Sequence, residues 1–165
     1  MKVKGIALVL GDEISTDAII AGKYCRMADP ARLAPHALEG VVPKRLPLKG
    51  RVLVAGQNFG VGSSREQAPL ALRAAGVKAV VAGSFGRIFF RNAINLGLPV
   101  LKCPGAHAAA RDGETVTVDL TAGRLRCGRG APALECERLP PYLLEILEDG
   151  GLVVHLRKRF SDGKT

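Results

Sequence analysis

Between residues 51 and 101 the chain repeats one layout twice: an apolar run, a glycine turn, a segment with helical spacing, and a further apolar run. Arg51 to Ala55, Lys78 to Ala82 and Leu98 to Leu101 are short and rich in β-branched and aliphatic residues. Residues 78–82 are apolar after their first position, as expected of a strand buried on both faces. Strand, helix, strand, helix, strand in about 50 residues requires parallel strands with crossover helices. Few folds satisfy that. In open sheets of this kind ligands bind at the carboxyl ends of the strands, where both glycine turns, 56–62 and 83–86, would lie.

The remaining segments extend this unit. Residues 3–10 form another strand-length apolar run, and 114–120 alternates in the strand manner, with 124–127 placed to pair with it as an antiparallel hairpin. Residues 133–138 are expected to add a short strand. Asp29 followed by Pro30 is a helix start, predicting about two turns through Leu33 and Leu38 to Gly40. Residues 41–50, with Pro43, Pro47 and Gly50, read as a surface connection. A helix is expected over 87–96 with Gly97 as its cap, and another over 141–148, presenting Leu143, Leu144 and Leu147 and stopped by Gly150-Gly151. Residues 152–159 fit a strand or a helix. The fold class is therefore α/β, with a parallel βαβαβ unit and an additional antiparallel hairpin, in a length of 165 residues that suits one domain.

Composition excludes several functions. With two tyrosines, five phenylalanines and no tryptophan, the chain lacks the aromatics that stack on bases. Its net charge of +9 is carried by scattered Lys and Arg, apart from Arg157-Lys158-Arg159, so nucleic-acid binding is not expected. The charge equally suits small anionic substrates or an acidic partner protein. Cys25, Cys103, Cys127 and Cys136 include no Cys-x-x-Cys pair and no zinc or iron-sulfur spacing, which predicts idle thiols and a reducing cytoplasm. No signal-peptide pattern and no run of 18 apolar residues occurs, so a membrane location is not expected.

Residues 56–66, Gly-Gln-Asn-Phe-Gly-Val-Gly-Ser-Ser-Arg-Glu, carry the candidate chemistry. Pro69 restricts where regular helix begins, because its ring clashes with the carbonyl four residues back. The helix should start between Glu66 and Pro69, which leaves Ser63, Ser64 and Arg65 free to face a ligand. Neither the dinucleotide nor the P-loop glycine spacing is met, and Gly-x-Ser-x-Gly is absent. His36, His107 and His155 show no evident acidic partner in sequence and are expected to be structural or solvated. Residues 11–17 gather three carboxylates and two hydroxyls, a composition that a solvated turn also has. Ser63 as a base needs help. A helix N-terminus contributes at most ~2 kcal/mol, or roughly one and a half pKa units. The sequence thus holds half of an active site.

Gly60-Val61-Gly62-Ser63-Ser64-Arg65-Glu66 resembles the Gly-Ser-Ser-Arg-Glu motif of the aconitase superfamily. Ser84-Phe85-Gly86-Arg87-Ile88 with Asn92 and Gly97 resembles its second signature, and residues 12–17 its first loop; the length resembles that of the separate small subunits of 3-isopropylmalate dehydratase and homoaconitase. The resemblance implies a swivelling β/β/α domain that closes over a large subunit carrying a 4Fe-4S cluster, with no metal on this chain. It further implies Ser63 as the alkoxide base, Arg65 as a clamp on a substrate carboxylate, Ser64 and Gly62 as substrate-binding residues with Ser64 helping to shape the loop, and Asp17 as catalytic support for the acid-base network. The substrate would be a small carboxylic acid, 3-isopropylmalate before homoaconitate, dehydrated and rehydrated by a hydro-lyase; the alternative is a non-enzymatic anion-binding or regulatory module of the same fold. Specificity in such proteins resembles a reading of the loop here occupied by Tyr24-Cys25-Arg26-Met27. An apolar residue at 26 suits the isopropyl group of 3-isopropylmalate; Arg26 suits the extra carboxylate of a homoaconitate, or else faces solvent. Ala21 stands where that motif usually has proline.

Overall fold

The computed structural model describes residues 1–27, 29–43 and 46–161. Residues 44 and 45 of the expected 41–50 connection, and residue 28 in the segment before Asp29, lie outside them. The parallel unit is present with the expected elements. β1 (Lys2–Val9), β2 (Arg51–Ala55), β3 (Ala79–Ala82) and β4 (Val100–Lys102) run parallel, with α3 (Gln67–Ala74) joining β2 to β3 and α4 (Arg87–Asn95) joining β3 to β4. Two short helices, α1 (Thr16–Ile19) and α2 (Pro30–Leu33), lie between β1 and β2. After β4 come α5 (Ala106–Ala109), β5 (Thr115–Asp119), β6 (Arg124–Cys127), β7 (Ala133–Glu135), α6 (Pro141–Glu148) and α7 (Leu152–Ser161). β5 pairs antiparallel with β1, and the hairpin continues through β6 to β7, giving the sheet order β4-β3-β2-β1-β5-β6-β7.

All residues of β3 and Val52 to Ala55 of β2 are fully buried, which is why their sequences do not alternate. In β5 only Val116 and Val118 are fully buried, so the hairpin alternates. α3 packs against α1, α2 and α4, α4 against α6 and α7, and α5 against β2 and β3. Pro69 falls in the first turn of α3, where its missing N–H would have no partner in any case, so the helix starts at Gln67 as expected.

Three expectations are corrected and one alternative is settled. The helix over 29–40 begins as read, with the Asp29 carboxylate accepting from the Ala31 N–H at 2.9 Å. It ends at Leu33, and only a single 3-10 turn, Ala34–His36, follows. Pro35 is the reason, since it cannot donate to the carbonyl four residues back. The cysteines are not all unpaired: Cys103 and Cys136 form a disulfide across 33 residues, while Cys25 and Cys127 are free. Cys103 follows β4 and Cys136 follows β7, the two outer strands. The sheet therefore curls until its ends meet, and there the Glu137 N–H also donates to the Lys102 carbonyl at 2.9 Å.

Residues 152–159 are helical, and His155 has an acidic partner after all. Asp149 lies just past α6, and its carboxylate receives His155 Nδ1 at 2.7 Å and Lys158 Nζ at 2.8 Å. His155 and Lys158 are three residues apart, so only a helix presents both to one carboxylate. His36 likewise meets Glu39, at 3.3 Å. Lys158 and then His155 hold the Asp149 carboxyl below the usual carboxylate range. A depressed acid stabilises the fold above its unfolded pKa of about 4 and loses that contribution as pH falls through the lower folded value. Asp149→Asn should therefore melt at a lower temperature than wild type near neutral pH, with the gap closing below about pH 4. Thermal melts across pH 2–7 check this, and a gap independent of pH would contradict it.

Candidate active site

The turns that leave β1, β2 and β3 are tied side by side at the carboxyl ends of the strands. Past β1 and β2 the parallel pairing continues into the loops: the Glu13 N–H donates to the Gln57 carbonyl at 2.7 Å, Gly60 to Ile14 at 2.7 Å and Thr16 to Val61 at 2.9 Å. The Asp12 carboxylate takes the Gln57 N–H at 2.7 Å, so the acidic loop is a buttress and not merely a solvated turn. On the other side the Phe59 N–H donates to the Ser84 carbonyl at 3.0 Å, and Gly86 to Phe59 at 2.9 Å. Ser84 Oγ takes the Asn58 N–H at 2.8 Å and donates to Gln57 Oε1 at 2.8 Å. Beneath the turns Phe59, Phe85 and Phe89 pack ring against ring, with Phe59 and Phe89 centroids 5.2 Å apart. Gly60 has a φ of +77°, a conformation that side-chain-bearing residues avoid.

This frame places Ser63 and Ser64 on the surface and Arg65 half-buried. Gly62, with a φ of +114°, turns the chain so that Ser63 faces Thr16. Thr16 is fully buried, and its Oγ1 accepts the Ser63 N–H at 3.1 Å while lying 3.1 Å from Ser63 Oγ. Arg65 Nη1 is ion-paired with Asp17 Oδ1, which raises the guanidinium's pKa and keeps it charged. The same Nη1 reaches the Ile20 carbonyl at 3.5 Å. Among the described residues only Nη1 of Arg65 is engaged, which leaves its remaining N–H groups for a second anion. The Asn92 side-chain amide donates to the Ser64 carbonyl at 3.4 Å, linking the second signature to the first turn.

Of the residues singled out from the sequence, Ser63, Ser64, Gly62, Arg65 and Asp17 come together. Arg26 lies on the neighbouring segment, which Gln67 Nε2 ties to α3 through the Cys25 carbonyl at 3.3 Å. Its side chain is exposed and makes no polar contact among the described residues. The sequence assigns Thr16 no role of its own, and its place between Ser15 and Asp17 in the two-hydroxyl loop is the one signal it offers. Ser15 has a local role, its Oγ capping α1 through the Ala18 N–H at 3.1 Å. A groove of about 820 Å³ runs between α4 and α6 and reaches the turns at Ser84 and Phe85, yet neither Ser63 nor Arg65 lines it. The exposed Ser63 hydroxyl and the half-buried Arg65 guanidinium stand outside that groove. Among the described residues no group of three or more His, Cys, Asp or Glu side chains could hold a metal ion, and no helix is long and apolar enough to cross a membrane.

Three comparisons bear on this site. Residues 45–105, which hold both glycine turns, match the family model described as the aconitase C-terminal domain. The chain is 51% identical over 160 residues to the 3-isopropylmalate dehydratase small subunit of Pyrobaculum calidifontis, covering 96% of this chain and 99% of that protein. It is 46% identical to the methanogen homoaconitase small subunit of Methanothermobacter thermautotrophicus, over 98% and 94% of the two chains. The crystal structure of a 3-isopropylmalate dehydratase from Methanocaldococcus jannaschii superposes with a TM-score of 0.88 at 43% identity, covering 100% of both chains. With the fold, the turns and the full chain length all shared, the chain belongs to the 3-isopropylmalate dehydratase small-subunit family of the aconitase superfamily.

Proposed function

We propose that this chain pairs with a large iron-sulfur subunit in the cytoplasm and that together they isomerise 3-isopropylmalate by dehydration and rehydration. The observation that carries the reading is the open edge itself: an exposed hydroxyl and a charged guanidinium held by well-bonded turns, outside the groove between α4 and α6. Such an edge needs a second protein to exclude water and complete the site. In this reading Ser63 Oγ, as the alkoxide, takes the carbon-bound proton of the substrate. Arg65 binds the adjacent carboxylate through the N–H groups that Asp17 leaves unused and stabilises the charge that builds up there. Asp17 keeps the guanidinium in place, Gly62 gives the loop its turn, and Ser64, anchored by Asn92, shapes its outer face. This chain's residues do not fit a 4Fe-4S cluster: among the described residues no three His, Cys, Asp or Glu side chains converge, and two of its four cysteines are bonded to each other. The reading therefore assigns the cluster, and with it the departure of the hydroxyl, to the large subunit.

A second reading, homoaconitate as substrate, is favoured by Arg26, which is exposed and makes no polar contact among the described residues, as a reader of an additional carboxylate would be. One comparison decides between them. Enzyme reconstituted with the large subunit is assayed on 3-isopropylmalate and on homoaconitate, as wild type and as Arg26→Leu. If Arg26 pairs with the extra carboxylate, the ratio of kcat/KM values should move toward isopropylmalate by about 10–100-fold, the worth of a hydrogen bond to a charged group. An unchanged ratio removes Arg26 as a reader of substrate. Absence of turnover on both substrates by the wild-type complex would refute the hydro-lyase reading.

A further inference from the structure

We infer that Thr16 is a positioning residue for the reaction, its buried hydroxyl donating to Ser63 Oγ and holding that oxygen ready to be ionised. The inference rests on the reading of Ser63 as the base. A threonine hydroxyl has one proton to give and two lone pairs to receive with. One lone pair is taken by the Ser63 N–H at 3.1 Å, because an amide can only donate. The hydroxyl is fully buried, so its own proton needs a partner within the protein, and Ser63 Oγ lies 3.1 Å away.

While Ser63 is neutral, either hydroxyl could donate across that contact. Once Ser63 has lost its proton only one direction remains, from Thr16 O–H to the Ser63 oxyanion, and a bond to an ionised acceptor is about twice as strong as a neutral one. Thr16 therefore stabilises the alkoxide more than the alcohol, which lowers the pKa of Ser63. The proton on Thr16 stays there throughout, and the substrate proton goes to Ser63 Oγ on its exposed side.

The surroundings keep this contact in place. Thr16 is β-branched and restricted in χ1, and its N–H is tied to the Val61 carbonyl at 2.9 Å. A Cβ on Gly62 would stand 3.2 Å from Thr16 Oγ1, so the absence of a side chain there leaves the hydroxyl room to turn. Charged groups on the segments beside Ser63 include Arg65 and Asp17, already paired with each other, Glu66 next along the loop, Asp12 and Glu13 on the buttressing turn, and Arg87 and Arg91 of α4, whose Asn92 bonds to the Ser64 carbonyl. Cations and carboxylates of opposing effect stand there, and Thr16 is a neutral donor in direct contact with the oxygen.

The test uses the reconstituted two-subunit enzyme. Thr16→Val keeps the shape and removes the donor; Thr16→Ser keeps the donor. We expect Thr16→Val to lower kcat about 10–100-fold with KM little changed, and to move the acidic limb of the kcat–pH profile up by about 1–2 pH units. Thr16→Ser should restore both. In the assembled enzyme, amide hydrogen exchange at Ser63 should be faster in Thr16→Val than in wild type or Thr16→Ser. If Thr16→Val does not assemble, Thr16→Ala is measured in its place. An acidic limb that stays where it was, or a Thr16→Ser enzyme that behaves like Thr16→Val, overturns the inference even if activity falls. Near-normal turnover by Ser63→Ala would instead remove the base itself, which separates failure of that reading from failure of this one.

Discussion

Replacing Ser63 by alanine should cut kcat of the reconstituted enzyme by about 10²–10⁴-fold, the usual contribution of a positioned general base. KM should change little, because the carboxylate would still meet Arg65, whose bond to Asp17 does not involve the serine. Assembly should also survive. Ser63 is exposed, and its backbone N–H would still donate to Thr16. What is lost structurally is an acceptor for the buried Thr16 proton, worth about 1 kcal/mol. Steady-state kinetics together with a co-purification assay check the expectation. A variant with near-normal kcat would mean that another group takes the proton. A variant that no longer co-purifies would mean that Ser63 serves assembly rather than chemistry.

The second large effect concerns the frame under that serine. Gly60→Ala should destabilise the chain by about 2–5 kcal/mol and lower activity with it. Two costs add. The residue adopts a φ of +77°, where an alanine carries a steric penalty of about 1–2 kcal/mol. A Cβ there would also sit 2.2–2.7 Å from Phe89 side-chain atoms, and Phe89 is 1% exposed, wedged against Phe59 and Phe85. Phe89 cannot swing out, so either it or the loop must shift, at about 1–3 kcal/mol for overpacking. Because the Gly60 N–H anchors the loop to the Ile14 carbonyl at 2.7 Å, such a shift would carry Ser63 away from Thr16. Denaturant unfolding gives the stability change, and a midpoint equal to that of wild type would show that the turn adapts freely.

Much of this protein was legible because the deciding residues are neighbours in the chain. The β2-α3-β3-α4-β4 unit, the start of α3 near Pro69, the Asp29-Pro30 helix start and the hairpin β5-β6 all follow from periodicities and turn residues within about ten positions of each other. The three motifs that led to the aconitase superfamily are likewise local. Pro35 was local too, and its effect on the helix over 29–40 could have been read.

The helix over 152–159 escapes periodicity although its partner is near: the Asp149 carboxylate is six residues from His155 and nine from Lys158 and takes both. The rest depended on residues brought together from a distance. The Cys103–Cys136 pair exists because β4 and β7, far apart in sequence, are the two ends of one curled sheet. At the candidate site the sequence by itself determined which groups the glycine turn displays: Ser63, Ser64 and Arg65. The tertiary structure alone decided their partners, placing Asp17 on Arg65 and Thr16 on Ser63 across 48 and 47 residues. The physical reason is the register of two parallel strands. β1 and β2 are paired residue for residue, and their loops continue that pairing, so the 11–17 turn must lie beside the 56–63 turn. No periodicity within either segment records that adjacency.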